Sequence, residues 1–339
     1  MDKDWSDKNK EFQKLITKEA TFKDGIKVLL NLRDSLFEQI TQIVNSHPKD
    51  AFWKMPFAKA EGYHSKTLAY SIWHVFRIED IVLHTLILNN SQVLERGEWQ
   101  KKIGAKIITT GNELSGQQIA EFSKNLDVKV LYEYAKAVKE STDEYLKGLD
   151  FVALKKKFSD SDRQRVATCG GVSSDEKAVW LIDYWCAKDV AGLLKMPLSR
   201  HWIMHIEAMR QIKNQLCKMA RKGVDPVAYC GFSCNHCFLG QWCGSCRTEY
   251  NTCSFATCSP NGECPNAKCC KEKGFYTPEC DGANAAKAQA LFVGKYGKKE
   301  FLKMQEKFHE KYEFTKTQEI LGQNLEEGLR ILEEICYNS

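Results

Sequence analysis

Apolar residues recur along most of this chain at spacings of three and four, the repeat of an amphipathic helix. Residues 5–19 place Trp5, Phe12, Leu15 and Ile16 on one side, which predicts a short lid or brace helix. From Thr21 to about Asn45 the positions Ile26, Leu29, Leu30, Leu36, Ile40 and Ile43 are apolar, and Ser46-His47-Pro48 closes the run. His47, inside that stop signal, reads as a turn residue. A third helix is expected from Ser65 to about Asn89, with His74, Ile78, Ile81, Thr85 and Leu88 along one stripe. Residues 90–126 read as loops and a short helix, with Ser115 and Gln118 in capping-box register. Asp127 to Leu149 turns Val130, Tyr134, Ala137, Val138, Ser141 and Tyr145 inward. After the loop Cys169-Gly170-Gly171, Ser173 and Glu176 suggest another capping box. The helix they open presents Val179, Ile182, Cys186, Val190 and Leu193. Pro197 separates it from a last helix with Ser199 as N-cap. This pattern predicts an all-α bundle with short connections and one long excursion.

The last helix of that bundle carries the chemistry. In Arg200-His201-Trp202-Ile203-Met204-His205 the two histidines stand four apart, so they share a face, and Ala208, Met209, Ile212 and Leu216 continue it inward. Two inward imidazoles one turn apart can hold a divalent metal, and a stable site needs a third ligand. His74 lies on a stripe bordering the apolar face and is expected to be buried. His84 shares a face with Trp73, Arg77 and Asp80 and is expected on the polar side. His64 precedes the helix, so His64 and His84 remain alternatives to His74. Arg77 and Glu79 read as an ion pair at the surface or behind the site rather than as catalytic groups. Asp183, Tyr184 and Glu207 sit near the right helices, but sequence alone ranks none of them as general base.

Composition narrows the function classes. The 339 residues allow two domains. Net charge is +5, from 49 basic and 44 acidic residues interleaved along the chain, which is no footprint for nucleic acid or a membrane surface. The N-terminal Met-Asp-Lys-Asp-Trp lacks the apolar core of a signal peptide, and no apolar run is long enough to span a bilayer. The expectation is a cytoplasmic protein acting on a small molecule, with a homodimer left open. In a reducing compartment, fifteen cysteines point to metal ligation or redox chemistry rather than disulfides.

Tyr70-Ser-Ile-Trp-His74-Val-Phe-Arg-Ile-Glu-Asp80 and Arg200-His201-Trp-Ile-Met-His205-Ile-Glu207 resemble the two signature helices of DinB/YfiT-like proteins. Thr110-Gly111-Asn112 and Ile182-Asp183-Tyr184-Trp185 resemble one branch of that family. The resemblance covers about residues 22–220. It implies a four-helix bundle in which His74, His201 and His205 bind one divalent metal (zinc, nickel or iron). The family holds thiol transferases and amidohydrolase-like enzymes, so it implies a metal site more firmly than a reaction. Three histidines leave positions for water and substrate, unlike a closed structural site.

Past Lys222-Gly223-Val224-Asp225-Pro226 the composition changes. Eleven cysteines lie between 230 and 280: Cys230, Cys234, Cys237, Cys243, Cys246, Cys253, Cys258, Cys264, Cys269, Cys270 and Cys280. The Cys-x-x-Cys units Cys234/Cys237 and Cys243/Cys246 each place two thiolates on one side of a turn, which suits a metal. So short a segment cannot bury much core, and metal crosslinks would supply what packing does not. Structural zinc is the first reading, an iron–sulfur cluster the second and reactive sulfur chemistry the third. His236 is an exposed loop residue or a replacement for one thiolate. Cys230-Gly-Phe-Ser-Cys234-Asn-His-Cys237, Cys243-Gly-Ser-Cys246 and Cys264 to Cys270 resemble a small cysteine-rich domain of unknown function common in anaerobes. That family usually ends in another Cys-x-x-Cys, whereas here Asp281-Gly282-Ala283 follows Cys280. Residues 283–339 return to helix, with stripes Phe301, Met304, Phe308, Tyr312 and Leu325, Leu329, Leu332, Cys336; His309 falls on a polar side. The expected domains are 1–221 (bundle), 222–282 (cysteine-rich module) and 283–339 (C-terminal helices). The expected function is a metal-dependent hydrolase or thiol/sulfur-group transferase. The alternative is a non-enzymatic metal or redox sensor or carrier.

Overall fold

The apolar stripes fold into helices throughout the computed structural model, which describes residues 2–227, 233–237, 243–245, 247–250 and 284–337. Among the described residues the chain is all-α, and the single β feature is one isolated bridge between Val227 and Ser233. None of the described helices is long and apolar enough to cross a membrane. The chain divides into two compact units, residues 1–213 and 214–339.

In the first unit the longer helices are α1 (Lys3–Leu15), α2 (Glu19–Ser46), α3 (Leu68–Asp80), α4 (Val128–Gly148), α5 (Glu176–Cys186) and α6 (His201–Ala220), the last running on into the second unit. Helix α2 buries Ile26, Leu29, Leu36, Ile40 and Ile43, the stripe its spacing predicts, together with Leu32 and Arg33. Side chains of this size contribute about 1.5–3 kcal/mol each when fully buried. Helix α4 buries Val128, Leu131, Tyr134, Ala135, Val138, Thr142 and Leu146, so its inward face is rotated by about one residue from the predicted one. Two expected caps are replaced. The α5 N-terminus is capped by the carboxylate of Asp175, which accepts from the Lys177 N–H at 2.8 Å, rather than by Ser173. Ser199 does not cap α6: it lies in a wide π turn, Met196–Arg200, that runs directly into His201, and its hydroxyl donates to the Leu194 carbonyl at 2.8 Å. At Ser115–Gln118 one half of the box forms, the Gln118 side chain accepting from the Ser115 N–H.

Every residue of α3 from Leu68 to Asp80 is buried. A helix sunk on all sides has no polar face, so its charged groups must find partners inside. Glu79 receives both ends of the Arg33 guanidinium (2.7 and 3.0 Å) and the Trp202 indole N–H (2.8 Å). Arg33 also donates to Asp143 at 2.7 Å and to the Leu198 carbonyl at 3.0 Å, and its guanidinium lies 4.4 Å from the Trp202 ring centre. One arginine thus ties α2, α3 and α4 to the π turn that delivers His201. Arg77 pairs not with Glu79 but with Asp80, which also accepts from the Tyr134 hydroxyl and from the N–H groups of Val93 and Leu94. Both Arg77 and Glu79 are therefore interior: the surface placement is corrected, and the ion pairs they make inside are with Asp80 and Arg33 rather than with each other.

In the second unit α7 (Asn284–Lys311) is interrupted at Gly297, where φ is 79°, a backbone conformation that glycine reaches without strain. It packs with α8 (Leu325–Tyr337) around Phe292, Phe301, Met304, Phe308, Leu332 and Cys336, and Val227 joins that core. The predicted stripes are recovered, with Tyr312, Leu325 and Leu329 at the margin of the core.

Candidate metal centre

His201 and His205 occupy the first two turns of α6 and face α3, from which His74 meets them. The ring centres are 4.6 Å apart for His201 and His205, 4.8 Å for His74 and His205, and 5.1 Å for His74 and His201. One nitrogen from each ring lies within 4.8 Å of the other two, and this is the only such group of His, Cys, Asp or Glu among the described residues. All three side chains are buried.

Buried polar atoms normally have hydrogen-bond partners. Here both ring nitrogens of His205 and Nδ1 of His201 have none among the described residues. An unpaired buried nitrogen costs about 1–3 kcal/mol, and a cation held between the rings is the simplest remedy the donor set suggests. His74 differs: its Nδ1 donates to the Thr110 carbonyl at 2.8 Å, which fixes the tautomer and leaves Nε2 as the free electron pair. That carbonyl is itself positioned by a series of contacts along α3. The Tyr70 hydroxyl donates to Gly111 (3.0 Å), the Trp73 indole to Thr109 (3.0 Å) and Arg77 to Ile108 (2.7 and 3.0 Å). Four side chains of one helix thereby hold four successive carbonyls of the long excursion. Gly111 has φ of 80°, and a Cβ there would stand 3.0 Å from the Tyr70 ring.

Burial keeps the rings neutral. It pushes His74 down to about 4 against the raising effect of the Thr110 hydrogen bond, and Lys66 lowers it further. His201 and His205 are driven well below the ordinary histidine range, first by burial and then by the neighbouring imidazoles. Neutral rings are the protonation state that binds metal.

Above the imidazoles opens a cavity of about 350 Å³, lined by Tyr63, Lys66, Tyr70, Ile78, Asn112, Trp180, Leu181, Tyr184, Trp185, Met196 and Pro197 besides the three histidines. That is within the size range of small-molecule sites. Tyr63 meets His205 edge-on at 4.7 Å, and Tyr70 stacks on His74 at 5.4 Å. Of the residues considered as bases, Tyr184 lines this cavity, whereas Asp183 is exposed and paired with Arg163 at 2.7 Å. Glu207 is not among the lining residues.

The alternative third ligands lie elsewhere. His84 is 1% exposed, contrary to its expected polar position. It is bonded to Asn90 at 2.7 Å and Ser141 at 3.1 Å. His84 keeps to the side of Asp80, 4.0 Å away, as the helical repeat expects, but that side is buried as well, because every residue from Leu68 to Ile87 is buried. Leu88, expected on the buried stripe, is 39% exposed at the end of the π-helical stretch Ile81–Leu88. His64 sits in a 3-10 turn, Gly62–Ser65, against Phe57. His47 is buried at the end of α2, its Nδ1 near the Ile43 carbonyl.

Of the cysteines expected as ligands, Cys234, Cys237 and Cys243 are described. Cys230, Cys246, Cys253, Cys258, Cys264, Cys269, Cys270 and Cys280 lie outside the described residues. The Cys234 thiol is pushed up by burial, opposed by its 3.6 Å hydrogen bond to Ser245, and raised again by the nearby Cys243. His236 is half-buried and stacks on His309 at 4.9 Å, so neither ring is a plain surface residue.

Sequence reading did not single out Lys66, Tyr63 or Trp180. They lie before and between the histidine-bearing helices, on segments whose spacing carries no signal for a cavity. No protein-family model matches the chain, and no curated protein or solved structure is significantly similar to it.

Proposed function

We propose that this chain is a metal-dependent enzyme of the DinB-like kind, in which His74, His201 and His205 hold one divalent cation at the floor of the cavity. The reaction is hydrolysis or transfer of a thiol or sulfur group on a small molecule. The observation that carries this reading is the set of three buried, neutral imidazoles at the cavity, in which both ring nitrogens of His205 and Nδ1 of His201 have no hydrogen-bond partner among the described residues. Zinc, nickel or iron would supply Lewis acidity there, making the proton of a water or thiol easier to lose. The protein's share is to aim His74 through Thr110, to keep the rings unprotonated, and to wall the cavity with Trp180, Tyr184 and Trp185 so that a substrate is partly screened from water.

Metal analysis of the full-length protein, purified anaerobically, tests this. Wild type is expected to carry one more equivalent of metal than His201→Ala, with matched far-ultraviolet spectra. Equal metal content in the two proteins would count against the proposal.

A second reading, a metal or redox carrier without catalysis, is favoured by the proximity of Cys234 to Cys243, the first sulfurs of the two Cys-x-x-Cys units. It predicts that the visible absorption belongs to the cysteine segment and survives in His201→Ala: broad absorption near 400 nm for iron–sulfur, none for zinc.

A further inference from the structure

We infer that the cavity above the imidazoles receives a small anion with a flat apolar body, its negative group held by Lys66 and Asn112. This rests on the cavity being the substrate site and names the substrate class.

The charge balance is one-sided. No aspartate or glutamate lines the cavity, and Lys66 is its only lysine or arginine among the described residues. The ammonium of Lys66 lies 5.3 Å from the Tyr70 ring centre. The structure gives it no ion pair or hydrogen bond to a described residue. Burial lowers its proton affinity, and the other charge acting on it, Lys177, has the same sign. A half-buried cation with an aromatic face but no anion is stabilised by a ligand that brings one, because charge-assisted hydrogen bonds are the stronger kind. A divalent cation among the imidazoles would add positive charge to the same space.

Asn112 supplies the second donor. Its side-chain oxygen accepts from the Thr110 hydroxyl at 2.8 Å, which turns the amide NH₂ away from that bond and leaves it for a ligand. The remaining wall is apolar and aromatic. Trp180 and Tyr184 meet edge to face at 5.6 Å, and Trp180 is 49% exposed, so an indole stands at the rim. A planar hydrocarbon body fits against that wall while its carboxylate or thiolate faces Lys66.

Benzoate and its neutral isostere benzamide are the probes. Binding to metal-free full-length protein is followed by calorimetry and by tryptophan fluorescence. Benzoate is expected to bind about tenfold more tightly than benzamide, a difference of about 1.4 kcal/mol. The preference is expected to vanish in Lys66→Gln and to return in Lys66→Arg. Equal affinity of wild type for both probes overturns the inference without recourse to any variant, as does a preference that survives in Lys66→Gln. Failure of wild type to bind benzoate at millimolar concentration also overturns it. A protein that takes up no metal at its histidines yet shows the Lys66-dependent preference would overturn the metal-enzyme reading and leave the anion site standing.

Discussion

His74, His201 and His205 are histidines whose environment denies them a proton. An ordinary histidine with a pKa near 6.5 is about three-quarters protonated at pH 6, so three of them would give up about two protons on binding a metal there. His74 is held down to about 4, and the other two are lowered well below their usual range. Proton release from the imidazoles on zinc binding at pH 6 is therefore expected to be near zero. Calorimetry in buffers of different ionisation enthalpy counts those protons as the difference between wild type and His201→Ala, in which the cysteines still release theirs on binding zinc, and a difference near two would show that the rings titrate normally. The sign for stability follows from the same shifts. Because the unfolded chain takes up these protons first, metal-free protein keeps the full contribution above about pH 6.5 and loses it as pH falls toward 4.

At the scale of helices, the apolar repeat made α2, α6 and the C-terminal helices legible. It also placed His201 and His205 on one inward face, because residues four apart in a regular helix must share a side. The reading broke down where the helix stopped being regular or stopped having a polar face. Past Ile81 the helix winds in π turns, and Leu88 closes that stretch exposed rather than on the buried stripe. Within α3 and the turns after it, burial all round makes a polar residue no sign of exposure, so the side expected to be polar, with Arg77, Asp80 and His84, is buried. The ion pairs of Arg33 join residues distant in sequence: Arg33 is 46 residues from Glu79 and 110 from Asp143. No local pattern reveals such a pairing. The carbonyl behind His74 was also illegible, since main-chain oxygens carry no residue identity. The Arg33 network makes a measurable demand. Removing one partner of a buried ion pair leaves an uncompensated charge and costs about 3–5 kcal/mol. Arg33→Met is expected to lose that much in urea unfolding, and Glu79→Gln in the same chain to restore part of it. A loss under about 1 kcal/mol would mean that Glu79 finds another counterion or takes up a proton at little cost.

For the whole molecule the consequence is that metal should act on the two units separately. The imidazole cluster lies entirely in the unit ending at residue 213, whereas the cysteines from 230 to 280 belong to the other. A ligand that binds only the folded state stabilises by about 2.7 kcal/mol at a hundredfold excess over its dissociation constant. For a unit of this size that corresponds to an upward shift of about 5–10 °C. Tryptophan separates the signals, because seven of the eight tryptophans (all but Trp242) precede residue 214. Thermal unfolding followed by tryptophan fluorescence is therefore expected to shift upward with zinc in wild type and not in His201→Ala. Any zinc-dependent transition of the cysteine-bearing unit, seen by circular dichroism, is expected to persist in that variant. If zinc raised the tryptophan transition equally in both proteins, the stabilising ion would have to sit on the cysteines, and the imidazoles would be left without a metal to hold.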